Sequence, residues 1–320
     1  MAAADGDAGG DGRRRVVVTG AAGLVGQNLL PRLEDRGLDL VAIDKHPVNT
    51  RILAGLHPDL QIIHADLARD DGWQDSLAGA AAVVIGHAQI GGLDRQAFAD
   101  NNVRATERLL DAARAAKIPY LVHISSSVVN SAAVDLYTES KTAQEALVAA
   151  CGIPAAILRP TLMFGWFDRK HLGWLARFMR KTPVFPVPGD GRYRRQPLYA
   201  GDFAAIVAAC LDRRIAGAFN ISGLETIDYI DLVRALREAT GAKARIVRIP
   251  YGLFKALLAA YARIDRDPPF TTSQLAALAT PDLFEVIDWP AIFGVAPTPL
   301  RTALRETFRD PRHASIELAF

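Results

Sequence analysis

Six short apolar runs constrain this chain more than any other feature: "RVVVTG", "DLVAIDK", "LQIIHAD", "AAVVIGHA", "YLVHISSS" and "IPAAILRP", all between Arg14 and about Pro160. In each run apolar residues continue instead of alternating with polar ones, which predicts strands covered on both faces. Helical patterns fill the intervals. In "NNVRATERLLDAARAAK", Val103, Thr106, Leu109, Leu110 and Ala113 recur at helical spacing, and "GQNLLPRLEDRG" has a similar texture. Alternating buried strand and helix predicts an α/β fold, a doubly wound parallel sheet that takes its ligands beyond the carboxyl ends of the strands.

After Pro160 the rhythm breaks. Trp166, Phe167, Trp174, Phe178, Phe185 and several prolines interrupt it before a helix-like "YAGDFAAIVAACLD" and a strand-like "GAFNISG" return. A helix "TIDYIDLVRALREATG", a β-rich "ARIVRIP" and a helical, proline-punctuated tail complete the chain. The expected organisation is a disordered tail over 1–13, a dinucleotide-binding domain over 14–160 completed by parts of 196–225, and a smaller C-terminal substrate lobe from 161–195 and 226–320. A net charge of +2 argues against a dedicated nucleic-acid binder or a polybasic membrane protein. Cys151 and Cys210 show no metal-ligand spacing, and no apolar run reaches the roughly 18 residues of a membrane span. No nucleic acid, membrane or metal partner is expected, and a cytoplasmic location is.

The strand "RVVVTG" runs into Gly20, Gly23 and Gly26, spaced G-x-x-G-x-x-G at the start of a helix. One glycine permits the sharp turn, a second admits a pyrophosphate to the backbone N–H groups, and a third brings helix and strand together. The helix N-terminus then faces the anion. A tight turn alone also needs glycine, so the context matters. Asp44 ends the next strand, 18 residues after Gly26, where a carboxylate accepts hydrogen bonds from an adenosine ribose. It would repel a 2′-phosphate, favouring NAD over NADP, although Lys45 and His46 beside it would tolerate one.

In "YTESK", Tyr137 and Lys141 stand one helical turn apart on one face. A phenol ionises near pH 10 unperturbed, so it acts as a base only beside a cation such as the Lys141 ammonium. Ser127, 10 residues before Tyr137 at a strand end, offers a hydroxyl to orient the reacting oxygen. An amphipathic surface helix would also produce the Tyr/Lys pair.

These segments, with "TGAAGLVG", "HADL", "NNVRAT", "RPTLMFG" and "RRQPLYAGDFA", resemble the extended short-chain dehydrogenase/reductase family of NAD-dependent epimerases and dehydratases, from about Arg14 to Phe308. The resemblance implies a Rossmann-type domain with NAD on the glycine turn, contacted by Gly20, Gly23, Leu24, Val25, Gly26 and Asp44. It places Asp66 and Leu67 near the adenine, Ala88 and Asn102 along the cofactor, and Lys141 near the nicotinamide ribose. It makes Tyr137 the acid/base, Ser127 its partner, and Arg195 a contact to the phosphates of a nucleotide-sugar substrate, with Tyr199 and Asp202 continuing that motif. Dimerisation through the helices of "NNVRATERLLDAARAAK" and "YTESKTAQEALVAAC" is a further implication, and a homodimer is expected.

Relatives that dehydrate sugars carry an Asp-Glu pair directly after the active-site hydroxyl, where this chain has Val128 and Val129. An epimerase, which removes and returns hydride on one bound cofactor, is the leading expectation. A keto-sugar reductase consuming NAD(P)H follows, and a non-catalytic dinucleotide-binding subunit is the alternative of another class. Leu162 stands where many relatives place a substrate-contacting Asn, and the stretch from Ser127 to Tyr137 is short, so a steroid-like or flavonoid-like alcohol is a further possible substrate. His87 is expected either to line the cofactor cleft or to be structural, and His123 to be core. His171 and the Trp166/Trp174 pair fit either ligand stacking or lobe packing.

Overall fold

The computed structural model describes residues 13–131, 135–261 and 285–319. The expected disordered tail therefore lies outside the described residues except for Arg13. Six strands follow the six apolar runs: β1 (Arg15–Thr19), β2 (Asp39–Asp44), β3 (Gln61–His64), β4 (Ala82–Ile85), β5 (Leu121–Ile124) and β6 (Ala155–Pro160). In the second half come β7 (Met163–Phe164), β8 (Val184–Pro188), β9 (Arg194–Arg195), β10 (Leu198–Tyr199), β11 (Gly217–Ile221), β12 (Ile227–Asp228) and β13 (Arg245–Ile249). The helices used below are α1 (Leu24–Glu34), α2 (Pro47–Leu56), α3 (Arg95–Phe98), α4 (Ala105–Ala115), α5 (Leu136–Ala150), α6 (Leu172–Lys181), α7 (Ala200–Arg213) and α8 (Tyr229–Thr240).

Seven strands form one parallel sheet in the order β11-β6-β5-β4-β1-β2-β3. The order reverses between β1 and β4, and the crevice at such a reversal is where doubly wound folds bind ligands. The continuous apolar runs are explained by cover on both faces. Val16, Val18, Leu40, Ala42, Val84 and Val122 pack with α1 and α7, whereas Val17, Val41, Ile43, Val83, Ile85 and Leu121 pack with α4 and Trp73. Each such buried aliphatic contributes about 1.5–3 kcal/mol relative to exposure.

A separate core holds the second lobe together, with Met179 of α6, Phe185 and Val187 of β8, and Val233 and Leu236 of α8 packed against Leu304. Small strand pairs brace it: β8 with β13, β9 with β12, and β7 with β10. Arg32 on α1 joins the lobe to the sheet domain. Its guanidinium lies 4.4 Å from the Trp166 ring centroid, pairs with Glu306 at 2.9 Å and donates to the Tyr199 hydroxyl at 3.2 Å. Trp166 also stacks on His313, and Trp174 stacks on Phe178, so both tryptophans serve lobe packing.

Candidate active site

The glycine turn is shaped by two close backbone approaches. Gly20 has φ +65°, and a Cβ there would lie 2.5 Å from the backbone of Gly86 and His87 at the end of β4. At Gly26 a Cβ would lie 2.3 Å from the Ala21 carbonyl oxygen. Gly23 differs: a Cβ would meet only the Gly20 carbonyl oxygen at 3.3 Å, and the residue caps α1 with no side chain of its own. The first-turn amides at Leu24 and Val25 thus have no side-chain cap, the condition that makes a helix N-terminus an anion site.

Asp44 reaches this turn from the end of β2. Its carboxylate accepts from the Ala22 amide at 2.9 Å and the His46 amide at 2.8 Å, which holds it beside the cradle with lone pairs to spare. Lys45 pairs with Asp66 at 3.1 Å and also donates to the Asn101 side chain. His46 is engaged as well, its Nδ1 accepting from the Asn49 amide to cap α2. Leu67 is buried beside Asp66, whereas Ala88 is exposed just beyond β4.

Asn102 is fully buried, and its amide is used up by the protein. Oδ1 accepts from the Gln89 amide at 2.5 Å, while Nδ2 donates to the Gln89 carbonyl at 3.1 Å and to the Ser140 hydroxyl at 2.8 Å. Asn102 thereby pins the loop after β4 to α5, and Ser140 continues the link to the Tyr137 carbonyl at 2.9 Å.

Tyr137 sits in the first turn of α5, which Asp135 caps by accepting from the Thr138 amide. Its phenol lies near Ser126, close enough for that side chain to favour the ionised form. Ser126 is extended and caps a short 3-10 turn that begins at the expected partner, Ser127, so both hydroxyls stand at the end of β5. Ser125 points inward and donates to Glu145 at 2.5 Å. Burial raises the Tyr137 phenol above its ordinary range, the nearby Ser126 side chain offsets part of this, and Asp135 adds to the rise. Lys141 is 1% exposed, and desolvation brings its ammonium down to about 7, with Glu145 opposing the shift. Burial alone would raise Glu145, but hydrogen bonds from Arg159 and Ser125 hold it below the usual carboxylate range. His123 within β5 is fully buried and kept neutral by desolvation and by the nearby Lys141 and His87.

In the second lobe, Arg195 lies on β9, where Ile227 is its strand partner; burial raises the Tyr229 phenol, and the nearby Arg195 charge offsets part of that rise. Tyr199 and Asp202 bond to other elements of the protein. Tyr199 accepts from Arg32, and Asp202 holds the Thr298 amide and hydroxyl, the latter at 2.6 Å. His171 precedes α6 in a turn whose amides, its own among them, bond to Asp168. Leu162, just past β6, is 44% exposed. Among the described residues no metal-ligating cluster is present, both cysteines are free and buried, and no helix is long and apolar enough to cross a membrane.

Comparison with known proteins agrees with this geometry. The family model for the NAD dependent epimerase/dehydratase family matches residues 16–222. A 3 beta-hydroxysteroid dehydrogenase/Delta 5-->4-isomerase of Mycobacterium tuberculosis is 28% identical over 305 residues, covering 84% of this chain and 81% of that protein. Among solved structures, a UDP-glucuronic acid 4-epimerase from Bacillus cereus in complex with NAD superposes with a TM-score of 0.71 at 23% identity, covering 92% of this chain and 95% of the other. MoeE5 in complex with UDP-glucose and NAD gives a TM-score of 0.66 at 25% identity, covering 92% and 97%.

Proposed function

Since the chain belongs to the NAD dependent epimerase/dehydratase family, we propose that it is an NAD-dependent nucleotide-sugar epimerase in which Tyr137 moves the proton while hydride is removed and returned. The observation that carries the reading is the placement of Tyr137, Lys141 and the Ser126–Ser127 pair at the carboxyl end of β5, on the same edge of the sheet as the glycine cradle.

The cradle fits a dinucleotide, because Gly20 and Gly26 leave no room for a Cβ while Gly23 leaves the first turn of α1 open. Asp44 fits an unphosphorylated ribose. The cations that would answer a 2′-phosphate are engaged elsewhere, Lys45 with Asp66 and Asn101, and His46 with the cap of α2. NAD, when bound, supplies the hydride acceptor and its return. The chain's own part is proton transfer and positioning. Tyr137 takes the hydroxyl proton of the substrate and later restores it, Ser127, or Ser126 beside it, orients the reacting oxygen, and the Lys141 charge favours the phenolate. Val128 and Val129 supply no second acid or base for losing water, so the reading excludes a sugar 4,6-dehydratase.

A second reading is reduction of a ketone with an apolar body. Leu162 favours it, being exposed at the strand end where a sugar hydroxyl would need a polar partner, and so does the hydroxysteroid relative. Tyr137 and Lys141 argue against a purely structural dinucleotide binder, which has no need of an activated phenol. The small residues Ala112 and Ala143, half-buried, and Ala146, exposed, on α4 and α5 suit close packing of two copies, the expected homodimer.

The test is incubation of UDP- and dTDP-sugars with purified protein and no added reductant. Interconversion of isomers, lost in Tyr137→Phe with NAD binding retained, supports the epimerase. A strict requirement for consumed NAD(P)H moves the protein to the reductase reading, and undiminished turnover in Tyr137→Phe refutes both. Ser126→Ala and Ser127→Ala, compared directly, decide which hydroxyl serves Tyr137.

A further inference from the structure

The hydrogen bonds of Lys141 lead away from Tyr137 and into the sheet. Its Nζ donates to the Ile124 carbonyl at 2.9 Å and to Gln144 Oε1 at 2.5 Å. Gln144 is fully buried, and its Nε2 donates to Thr106 Oγ1 at 2.9 Å and to the His87 carbonyl at 3.2 Å. Thr106 donates its own proton to the Asn102 carbonyl at 2.7 Å. The His87 ring spans the last gap, with Nε2 3.1 Å from Thr106 Oγ1 and Nδ1 2.8 Å from Thr19 Oγ1.

Counting protons leaves this chain one arrangement. A hydroxyl has one proton and two lone pairs. With the Thr106 proton on the Asn102 carbonyl, Thr106 Oγ1 accepts from both Gln144 and His87. His87 then carries its proton on Nε2 and Nδ1 accepts from Thr19, whose one hydroxyl proton turns to the ring at 2.8 Å rather than to the Val84 carbonyl at 3.2 Å. The Gln144 amide then has a single orientation, nitrogen toward Thr106 and the His87 carbonyl, oxygen toward Lys141. Turned over, it would set an NH2 group against an ammonium and an oxygen against a carbonyl.

We infer that Gln144 is the positioning residue of Lys141: its amide, locked by Thr106 and His87, turns an oxygen to the ammonium and keeps that side chain charged and in place one turn below Tyr137. The chain of bonds begins at Thr19, the residue before Gly20, so the foot of the cradle and the catalytic cation share one network. The inference rests on the reading of Lys141 as the cation that favours the Tyr137 phenolate.

Other ionisable groups face the same space. Glu145 of α5 favours the charged form of Lys141 while paired with Arg159 of β6. His87 is held neutral, brought to about 3 by desolvation and by the Lys141 and Lys45 charges, and His123 of β5 is neutral for similar reasons. Tyr137 lies above on α5. None of these offers Lys141 a hydrogen-bond acceptor, which leaves Gln144 as the side chain that does.

The test titrates Lys141 in the full-length protein labelled with 13C-lysine, its resonance assigned by its loss in Lys141→Met. Gln144→Met removes the acceptor and lowers the proton affinity of Lys141 at least tenfold. Gln144→Glu, of the same shape, raises it. Equal midpoints in wild type and Gln144→Glu overturn the inference, as does lost turnover in Gln144→Met with an undisplaced midpoint. If Gln144→Met does not fold, Gln144→Glu carries the comparison. The titration needs no turnover, so its outcome stands apart from whether the protein is an epimerase.

Discussion

Alanine at Gly20 and at Gly23 should separate folding from ligand binding within one short turn. At Gly20 the added Cβ carries two costs. A left-handed conformation costs a non-glycine residue about 1–2 kcal/mol, and overpacking adds about 1–3 kcal/mol, since the 2.5 Å contacts are to backbone of Gly86 and His87 that no rotamer change relieves. Gly20→Ala should therefore lose about 2–5 kcal/mol of unfolding free energy. Gly23 has φ −79°, open to alanine, and its single contact at 3.3 Å yields to a small shift, so the loss there should stay under about 1 kcal/mol. Its methyl group, however, would stand where the first-turn amides of α1 meet the pyrophosphate. Urea unfolding gives the stability of each variant, and fluorescence titration gives NAD affinity. Gly23→Ala should remain nearly as stable as wild type and bind NAD at least tenfold more weakly. Wild-type affinity in Gly23→Ala would refute the phosphate cradle, and wild-type stability in Gly20→Ala would refute the close approach to β4.

Three further outcomes follow from the same contacts. Lys141 is brought to about 7 in the folded state against 10.5 for an unburied lysine. The unfolded chain therefore holds the extra proton between these values, and stability rises with pH across that window. Relative to Lys141→Met, wild type should gain about 2 kcal/mol of unfolding free energy from pH 7 to pH 9, and parallel stability curves would contradict the buried charge. Asp44→Asn keeps the side-chain shape but not the charge, so NAD affinity should fall about tenfold while the preference for NAD over NADP narrows, as read by titration with both. An unchanged preference would remove Asp44 from the ribose. Arg32→Met should cost about 1–3 kcal/mol through the lost cation–π contact and ion pair, measured by urea unfolding, with a loss below about 0.5 kcal/mol counting against the anchor.

The sheet was legible because strands covered on both faces spell themselves as unbroken apolar runs, and β1 to β6 coincide with the six runs. The cradle was legible too, since Gly20 and Gly26 are demanded by backbone approaches that fall within or beside the turn. What the sequence concealed depended on direction and distance. Three consecutive serines look alike in a string, yet Ser125 turns to Glu145 while Ser126 caps the turn that begins at Ser127. That the Asn102 amide ties Gln89 to Ser140 depends on segments far apart in the chain. Tyr199 and Asp202 were grouped with Arg195 by motif, yet their partners, Arg32 and Thr298, lie far away in the chain. Gln144 looked like one more polar residue of an amphipathic helix until His87 and Thr106 were brought beside it.

Helix α1 does two jobs at once. Its first turn faces the cradle, and Arg32, near its other end, is clasped by Trp166, Tyr199 and Glu306 of the second lobe. Eleven residues of helix span about 16 Å, with no flexible joint between the two ends. Whatever steadies the dinucleotide end also steadies the lobe that must grip the substrate. Amide hydrogen exchange around Trp166 and Glu306 should accordingly slow when NAD is added, although neither residue belongs to the cofactor site.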